Sequence, residues 1–208
     1  MKKVLLVLGL MALVVALVSP VVAAPIETKA GTKAMVFQFS GLSDLGLGRY
    51  SGGIGMRYYM SDDMALRPGV QIGYSKFKDK DTDPEAETSM MNVGANITLE
   101  KHFAPGKSIS PYIGAQAGVS YRQDKETNVD AEDLEVKDKL MSFGVGGVLG
   151  FEWGFTESLT LGGEYGLGLA IASHKVEATM DSTTETTTDE SGMSFGISTA
   201  SVFLSVTF

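Results

Sequence analysis

The sequence predicts an all-β fold, an eight-stranded antiparallel up-and-down transmembrane β-barrel. Three observations point there. Apolar residues alternate with small or polar ones at period two through eight segments, from Ala34 to Phe208. The connections between those segments alternate between short and long. Beyond the leader, no stretch is long and apolar enough for a membrane helix, and strands can cross lipid only as a closed barrel that satisfies every backbone group.

Residues 1–23 read as a cleavable signal peptide. Lys2 and Lys3 open it, an apolar run extends from Val4 to Val18, Pro20 breaks the run, and Val21-Val22-Ala23 supplies small residues for cleavage. The expected cut follows Ala23, since a cut after Ala24 would leave Pro25 first. Residues 24–33 are then a short periplasmic N-terminal segment, and residues 34–208 form the barrel. Losing Lys2 and Lys3 takes the formal charge from −8 to −10. Such an acidic chain is repelled by phosphodiester backbones, so nucleic acid is not an expected partner. The chain has no cysteine, which excludes disulfides, thiolate metal sites and thiol catalysis together.

The expected strands lie near 34–40, 48–60, 64–77, 90–103, 110–122, 140–153, 158–173 and 192–208. Short links follow the second, fourth and sixth: Ser61-Asp62-Asp63, Ala104 to Ile109, and Gly154 to Glu157. Long polar links follow the third, fifth and seventh: Lys78 to Ser89, Gln123 to Lys139, and His174 to Ser191. The first link, Gly41 to Leu47, is intermediate and Gly-rich. Alternation of this kind gathers the long links at one end, as in outer-membrane barrels with short periplasmic turns and longer extracellular loops. Two irregularities stand out. Apolar positions are odd through Met193, Phe195 and Ile197 but even from Ala200 to Phe208, which calls either for a bulge near Ser198-Thr199 or for an upper half that rises above the membrane. Pro68 lacks a ladder donor and predicts a bulge or a strand end.

Period two alone does not say which face is inside, and lipocalins share it with their apolar residues inward. Side-chain size decides. In the sixth strand Met141, Phe143, Val145, Leu149, Phe151 and Trp153 oppose Ser142, Gly144, Gly146, Val148, Gly150 and Glu152. Leu161, Tyr165, Leu167, Leu169 and Ile171 oppose Thr160, Gly162, Glu164, Gly166 and Gly168 in the seventh. A narrow eight-strand interior suits the small face, and the bulky face suits hydrocarbon. Tyr58, Tyr74, Tyr121 and Trp153 fall near strand ends, as an interfacial girdle should.

That orientation sends Gln38, Arg57, Arg67, Gln71, Glu100, Gln116, Glu152 and Glu164 inward. Unpaired buried charges are costly, so the arginines and glutamates are expected to pair. The set reads either as a permanent salt-bridge core or as a gate for water or ions, and the partners cannot be assigned before the register is known. No catalytic, cofactor or metal site emerges. His102 and His174 are the only histidines and fall at opposite ends. Ser173-His174 with Glu177 is a superficial match to lipid A deacylase chemistry, with the wrong spacing. The run from Asp79 to Glu85 alternates carboxylates, but Pro84 stands where a calcium loop of the EF-hand kind needs Gly. The stretch from Met180 to Ser191 is Thr-rich and acidic and reads as an unstructured loop.

The leader, the eight segments, the Gly-rich runs Ser51-Gly52-Gly53-Ile54-Gly55 and Gly144-Val145-Gly146-Gly147, and the terminal Phe208 together resemble the small outer-membrane β-barrel domain family, with its eight-strand barrels of the OmpA/OmpX type. The resemblance covers residues 34–208. It implies a bacterial outer-membrane location, contact with outer-membrane lipid and lipopolysaccharide, and a monomer without a peptidoglycan-binding domain. It also implies that Phe208 is the signal read by the barrel-assembly machinery. The function it implies is a structural or surface-interaction role with a filled polar lumen and acidic extracellular loops. A small pore, a lipid A-modifying enzyme and a soluble lipocalin-like carrier are the alternatives.

Overall fold

The computed structural model describes residues 23–40, 51–79, 86–128, 134–180, 183–197 and 200–208. These form nine strand segments and, among the described residues, no helix. They are β1 (Lys33–Ser40), β2 (Ser51–Ser61), β3 (Met64–Asp79), β4 (Ala86–His102), β5 (Ile109–Asn128), β6 (Leu134–Gly154), β7 (Leu159–Met180), β8 (Thr183–Ile197) and β9 (Ser201–Thr207). Every neighbouring pair is antiparallel. The order runs β1 to β7, then β7 pairs β9 and β9 pairs β1, which closes the ring.

Segments β8 and β9 both lie on β7 and are two halves of one eighth barrel strand. Between Leu167↔Ile197 and Glu164↔Ser201, three steps on β7 face four on its partner. One extra residue there moves the outward set from odd positions (Met193, Phe195) to even ones (Val202, Leu204, Val206). The expected bulge residues, Ser198 and Thr199, lie outside the described residues, as do the leader up to Val22 and the Gly41 to Leu47 link.

Two expectations need correction. Pro68 neither ends β3 nor bulges it. It sits in mid-strand opposite Ile97 of β4, while the β2 ladder skips from Gly55↔Gly69 to Tyr58↔Leu66. The missing N–H costs a local gap in one ladder, and the irregularity in β2 falls later, between Tyr59 and Ser61. The long polar links are also mostly strand. Segments β5, β6, β7 and β8 run on to Asn128, Leu134, Met180 and Thr183. Their outward positions turn polar there (Glu135, Lys137 and Lys139 on β6, Lys175, Glu177 and Thr179 on β7), so the lipid-facing apolar set stops short of them, but β-branched Thr and cross-strand Lys–Glu pairs support the ladder.

Burial is inverted relative to a water-soluble barrel. Leu149 is 65% exposed and Leu167, Phe143 and Phe151 are about half exposed, whereas Arg57 (1%) and Glu100 (0%) are among the most buried groups. The outward apolar run of β6 extends from Trp153 to Met141. At a rise of ~3.3 Å per residue and a tilt near 45°, it spans roughly 28 Å, the height of a bilayer core.

The segment before β1 crosses the short-turn end of the ring. The Ala24 N–H donates to Gly154 O at 3.1 Å and the Ile26 N–H to Lys107 O at 3.2 Å, on the β6 and β5 side. The Gly31 N–H then donates to Tyr59 O at 2.8 Å on the far side, with Gly31 at φ +91°, a left-handed turn that glycine accommodates. Ile26 and Thr28 are the buried residues of this strap.

Candidate functional site: the ionic chain across the lumen

Alternation places Arg57 on β2, Arg67 on β3, Glu100 on β4, Glu152 on β6 and Glu164 on β7, all pointing at the axis. The ring brings them together as an alternating chain, Glu152–Arg57–Glu100–Arg67–Glu164. Arg57 pairs with Glu152 through Nη1, and its Nε donates to Glu100 Oε2 at 2.6 Å while Nη2 donates to Oε1 at 3.3 Å. Arg67 Nε lies 2.6 Å from Glu100 Oε1, at an angle too bent for a hydrogen bond, and its Nη2 donates to Glu164 Oε2 at 2.5 Å. Planar guanidinium forks suit this work, since each engages two carboxylates at once.

The remaining carboxylate lone pairs are also filled. Tyr59 Oη donates to Glu152 Oε2 at 3.2 Å and Tyr112 Oη to Glu164 Oε2 at 2.8 Å. Gln38 Nε2 donates to Glu164 Oε1 at 2.7 Å, and Thr160 and Ser201 hydroxyls reach Glu152 and Glu164. Phe203, fully buried, lies under both guanidiniums, 5.3 Å from Arg57 Cζ and 5.6 Å from Arg67 Cζ. This satisfaction is what makes a buried charged cluster tolerable.

Gln71 and Gln116 are placed elsewhere. They line a cup of about 750 Å³ above the chain, walled by Asn96, Ser120, Ser142 and strand glycines, with Arg67 and Glu164 at its floor. A histidine outside the predicted inward set also joins the cluster. His102 is buried between Tyr59 and Tyr112, with Nδ1 3.1 Å from Ser110 Oγ and Nε2 3.4 Å from Glu100 Oε2. Its parity with Thr98 and Glu100 was the available signal. Tyr59 and Phe203 share parity with Arg57 and Ser201 and were legible the same way.

The other candidates are not assembled. His174 faces inward and pairs with Asp138 at 2.8 Å, while Glu177 is held by Lys139 and Lys175. No acidic or histidine cluster with metal-holding geometry occurs among the described residues. Most of the Asp79 to Glu85 run lies outside them.

The chain matches the model of the outer membrane protein beta-barrel domain family over residues 33–171. Among solved structures it is similar to the outer membrane protein OprG from Pseudomonas aeruginosa, at 12% identity and a TM-score of 0.52 over 88% of this chain and 98% of that one. It is also similar to a major outer membrane protein from Thermus thermophilus (11% identity, TM-score 0.49, 85% and 99% covered). A third is Ail, the attachment invasion locus protein of Yersinia pestis (9%, 0.44, 86% and 99%). These likenesses concern the fold alone. No curated protein sequence matches the chain. The family match spans most of the ring, and with the inverted burial and the closed strand order it is decisive: the chain belongs to the outer membrane protein beta-barrel domain family and resides in the bacterial outer membrane.

Proposed function

We propose that the protein is a closed, non-enzymatic structural barrel, which holds extended charged strands above the outer membrane for surface interactions. The observation that carries this reading is the five-residue ionic chain, which crosses the lumen from β6 to β7 by way of β2, β4 and β3. Tyr59, Tyr112 and Phe203 fill the space around it, and the strap lies beneath. A permeating ion would have to break charge-assisted bonds at two arginines and pass the strap.

A gated pore is the second reading, favoured by the cup above the chain, which already opens half of a path. Planar-bilayer recording of the purified, heat-modifiable barrel separates the two. The closed barrel gives no conductance steps at any applied voltage. Reproducible steps from the unmodified protein would overturn the proposal.

A further inference from the structure

The lumen is packed at one end and open at the other. Around the ionic chain Tyr59, Tyr112 and Phe203 are at most 2% exposed. Above it the same ring encloses the cup of about 750 Å³. That volume falls within the range of small-molecule sites, roughly 300–1,000 Å³.

Glycines keep the cup open, and for two different reasons. A Cβ on Gly168 would come within 2.6 Å of Val145 O, so the backbone there admits nothing larger. A Cβ on Gly144 would sit 3.4 Å from Leu169 O, an ordinary contact, and one on Gly196 would meet nothing within 4 Å. Both residues line the cup, Gly144 from β6 and Gly196 from β8, where it lies opposite Gly168. A side chain at either position would fill the space, yet neither carries one. Glycine inside a strand weakens it, and marks a place where a ligand or another backbone comes close. At Gly144 and Gly196 the neighbouring backbone makes no such demand.

Three uncharged amides form a diagonal row on the wall beside them: Gln71 on β3, Asn96 on β4 and Gln116 on β5. Each stands opposite a glycine. Gln71 faces Gly94, Asn96 faces both Gly69 and Gly118, and Gln116 faces Gly146. Asn96 Oδ1 leans over Gly69, 2.9 Å from where a Cβ would stand. The hydrogen bonds that satisfy Glu164 come from Arg67, Tyr112, Gln38 and Ser201, so the row is not needed to hold the ionic chain. At the floor Arg67, 4% exposed, makes no hydrogen bond through Nε. Carboxamides both donate and accept, which suits hydroxyl groups, and a flat glycine wall suits the face of a ring.

Charge narrows the class. Arg67 and Glu164 pair at the floor, and the remaining polar lining is amide and hydroxyl. Inward positions above the cup carry Asp124, Glu126 and Asp138 against Arg122, which turns anions away. The strands β5, β6 and β7 rise past the cup to Asn128, Leu134 and Met180, and stand between it and anything anchored in lipid.

We infer that the cup is a binding site for a free, neutral, hydroxyl-rich solute of saccharide size. Gln71, Asn96 and Gln116 engage its hydroxyls, and its ring lies against Gly144, Gly168 and Gly196. Among the described residues no aromatic ring lines the cup, so binding rests on hydrogen bonds exchanged with water and is weak, with a Kd of roughly 1–10 mM. The site goes beyond a structural role and does not depend on what closes the lumen below.

The test uses the full barrel in micelles of a detergent without a sugar headgroup. The two probes are methyl glucoside and methyl glucuronoside, which differ by one carboxylate. The side-chain amide NMR signals of Gln71, Asn96 and Gln116 are expected to shift saturably with methyl glucoside, and methyl glucuronoside binds about fivefold more weakly or worse. Gly196→Phe fills the cup and abolishes the saturable shift, with heat-modifiable mobility retained. Shifts that stay linear throughout the titration overturn the inference, because they report bulk solvent alone. Saturable binding that survives in Gly196→Phe overturns it too, as does equal binding of the two probes. If Gly196→Phe fails to show heat-modifiable mobility, the similar-sized pair Asn96→Leu and Gln116→Leu decides by the same titration, read at Gln71. A barrel that conducts and still binds methyl glucoside contradicts the closed-lumen proposal and supports this one, and a silent barrel with linear shifts does the reverse.

Discussion

Arg57 is the residue on which the interior turns. It engages Glu100 and Glu152 and stacks on Phe203 and Tyr112, so it joins the β4 and β6 carboxylates through one side chain. Arg57→Met leaves two carboxylates short of a partner in a dry site and should cost about 3–5 kcal/mol of unfolding free energy, read by denaturant titration in detergent. A cost below about 1 kcal/mol would mean that the cluster is wetter than its burial indicates. Close packing around the cluster makes a second prediction. A Cβ added at Gly150 would meet Tyr112 Oη at 2.5 Å, and one at Gly162 would meet the Phe203 ring, whereas at Gly147 the nearest atom is 3.6 Å away. Gly150→Ala and Gly162→Ala should therefore each destabilise by about 1–3 kcal/mol, with Gly147→Ala near neutral on the lipid face. The inward direction of these residues was legible from parity alone. Their partners were not, because Arg57 meets groups 43 and 95 residues away in sequence, and only the closed register determines which carboxylate lies opposite which arginine. For His102 too, alternation from Glu100 gives the inward direction, while its neighbours Tyr59 and Tyr112 follow only from the register.

At the scale of elements, the strands outgrow their apolar pattern. Greasy alternation stops near Arg122, Leu140 and Ser173, but the ladders continue into charged sequence. Above that level, Lys–Glu pairs take over from lipid contact. The Glu177 carboxyl is held down to about 2 from its ordinary 4.5, first by the hydrogen bond from Lys139 and then by that from Lys175. A depressed folded value means that the stabilisation is complete above about 4.5 and is lost as pH falls toward 2. Glu135, lowered by Lys125 and then Lys137, acts in the same sense. Amide exchange at Lys175 to Ala178 should therefore accelerate as pH is lowered through this window, after correction for intrinsic rates, while amides of β6 below Met141 stay protected. Uniform protection across both regions would contradict the account. The strap escapes the apolar pattern, since Ile26 is the one large apolar residue between Pro25 and Lys33. Deleting residues 24–30 uncovers the Ile26 site and should lower stability by about 1.5–3 kcal/mol without preventing ring closure, seen as retained heat-modifiable mobility.

For the molecule as a whole, a single asymmetry organises everything: bulky apolar groups outside, charges and glycines inside. The sequence carried that much because side-chain size distinguishes a narrow lumen from a lipid-facing wall, where period two alone would fit a lipocalin equally well. Overall charge misleads at this scale. Among the described residues above the apolar band, inward positions carry Asp124, Glu126 and Asp138, while the outward faces of β3, β5, β6 and β7 carry lysines. The absence of native cysteine makes the asymmetry directly measurable, since a single introduced cysteine carries a nitroxide label without background. The decisive measurement is label accessibility in lipid bilayers at Phe143, Leu149 and Leu167 against Ser120 and Ser142. The account predicts that the first three collide with lipid-dissolved oxygen and hardly at all with a water-soluble nickel chelate, and that the two serines show the reverse. Chelate access at Leu149 and Leu167, with the serine positions bathed in oxygen-rich hydrocarbon, would contradict it.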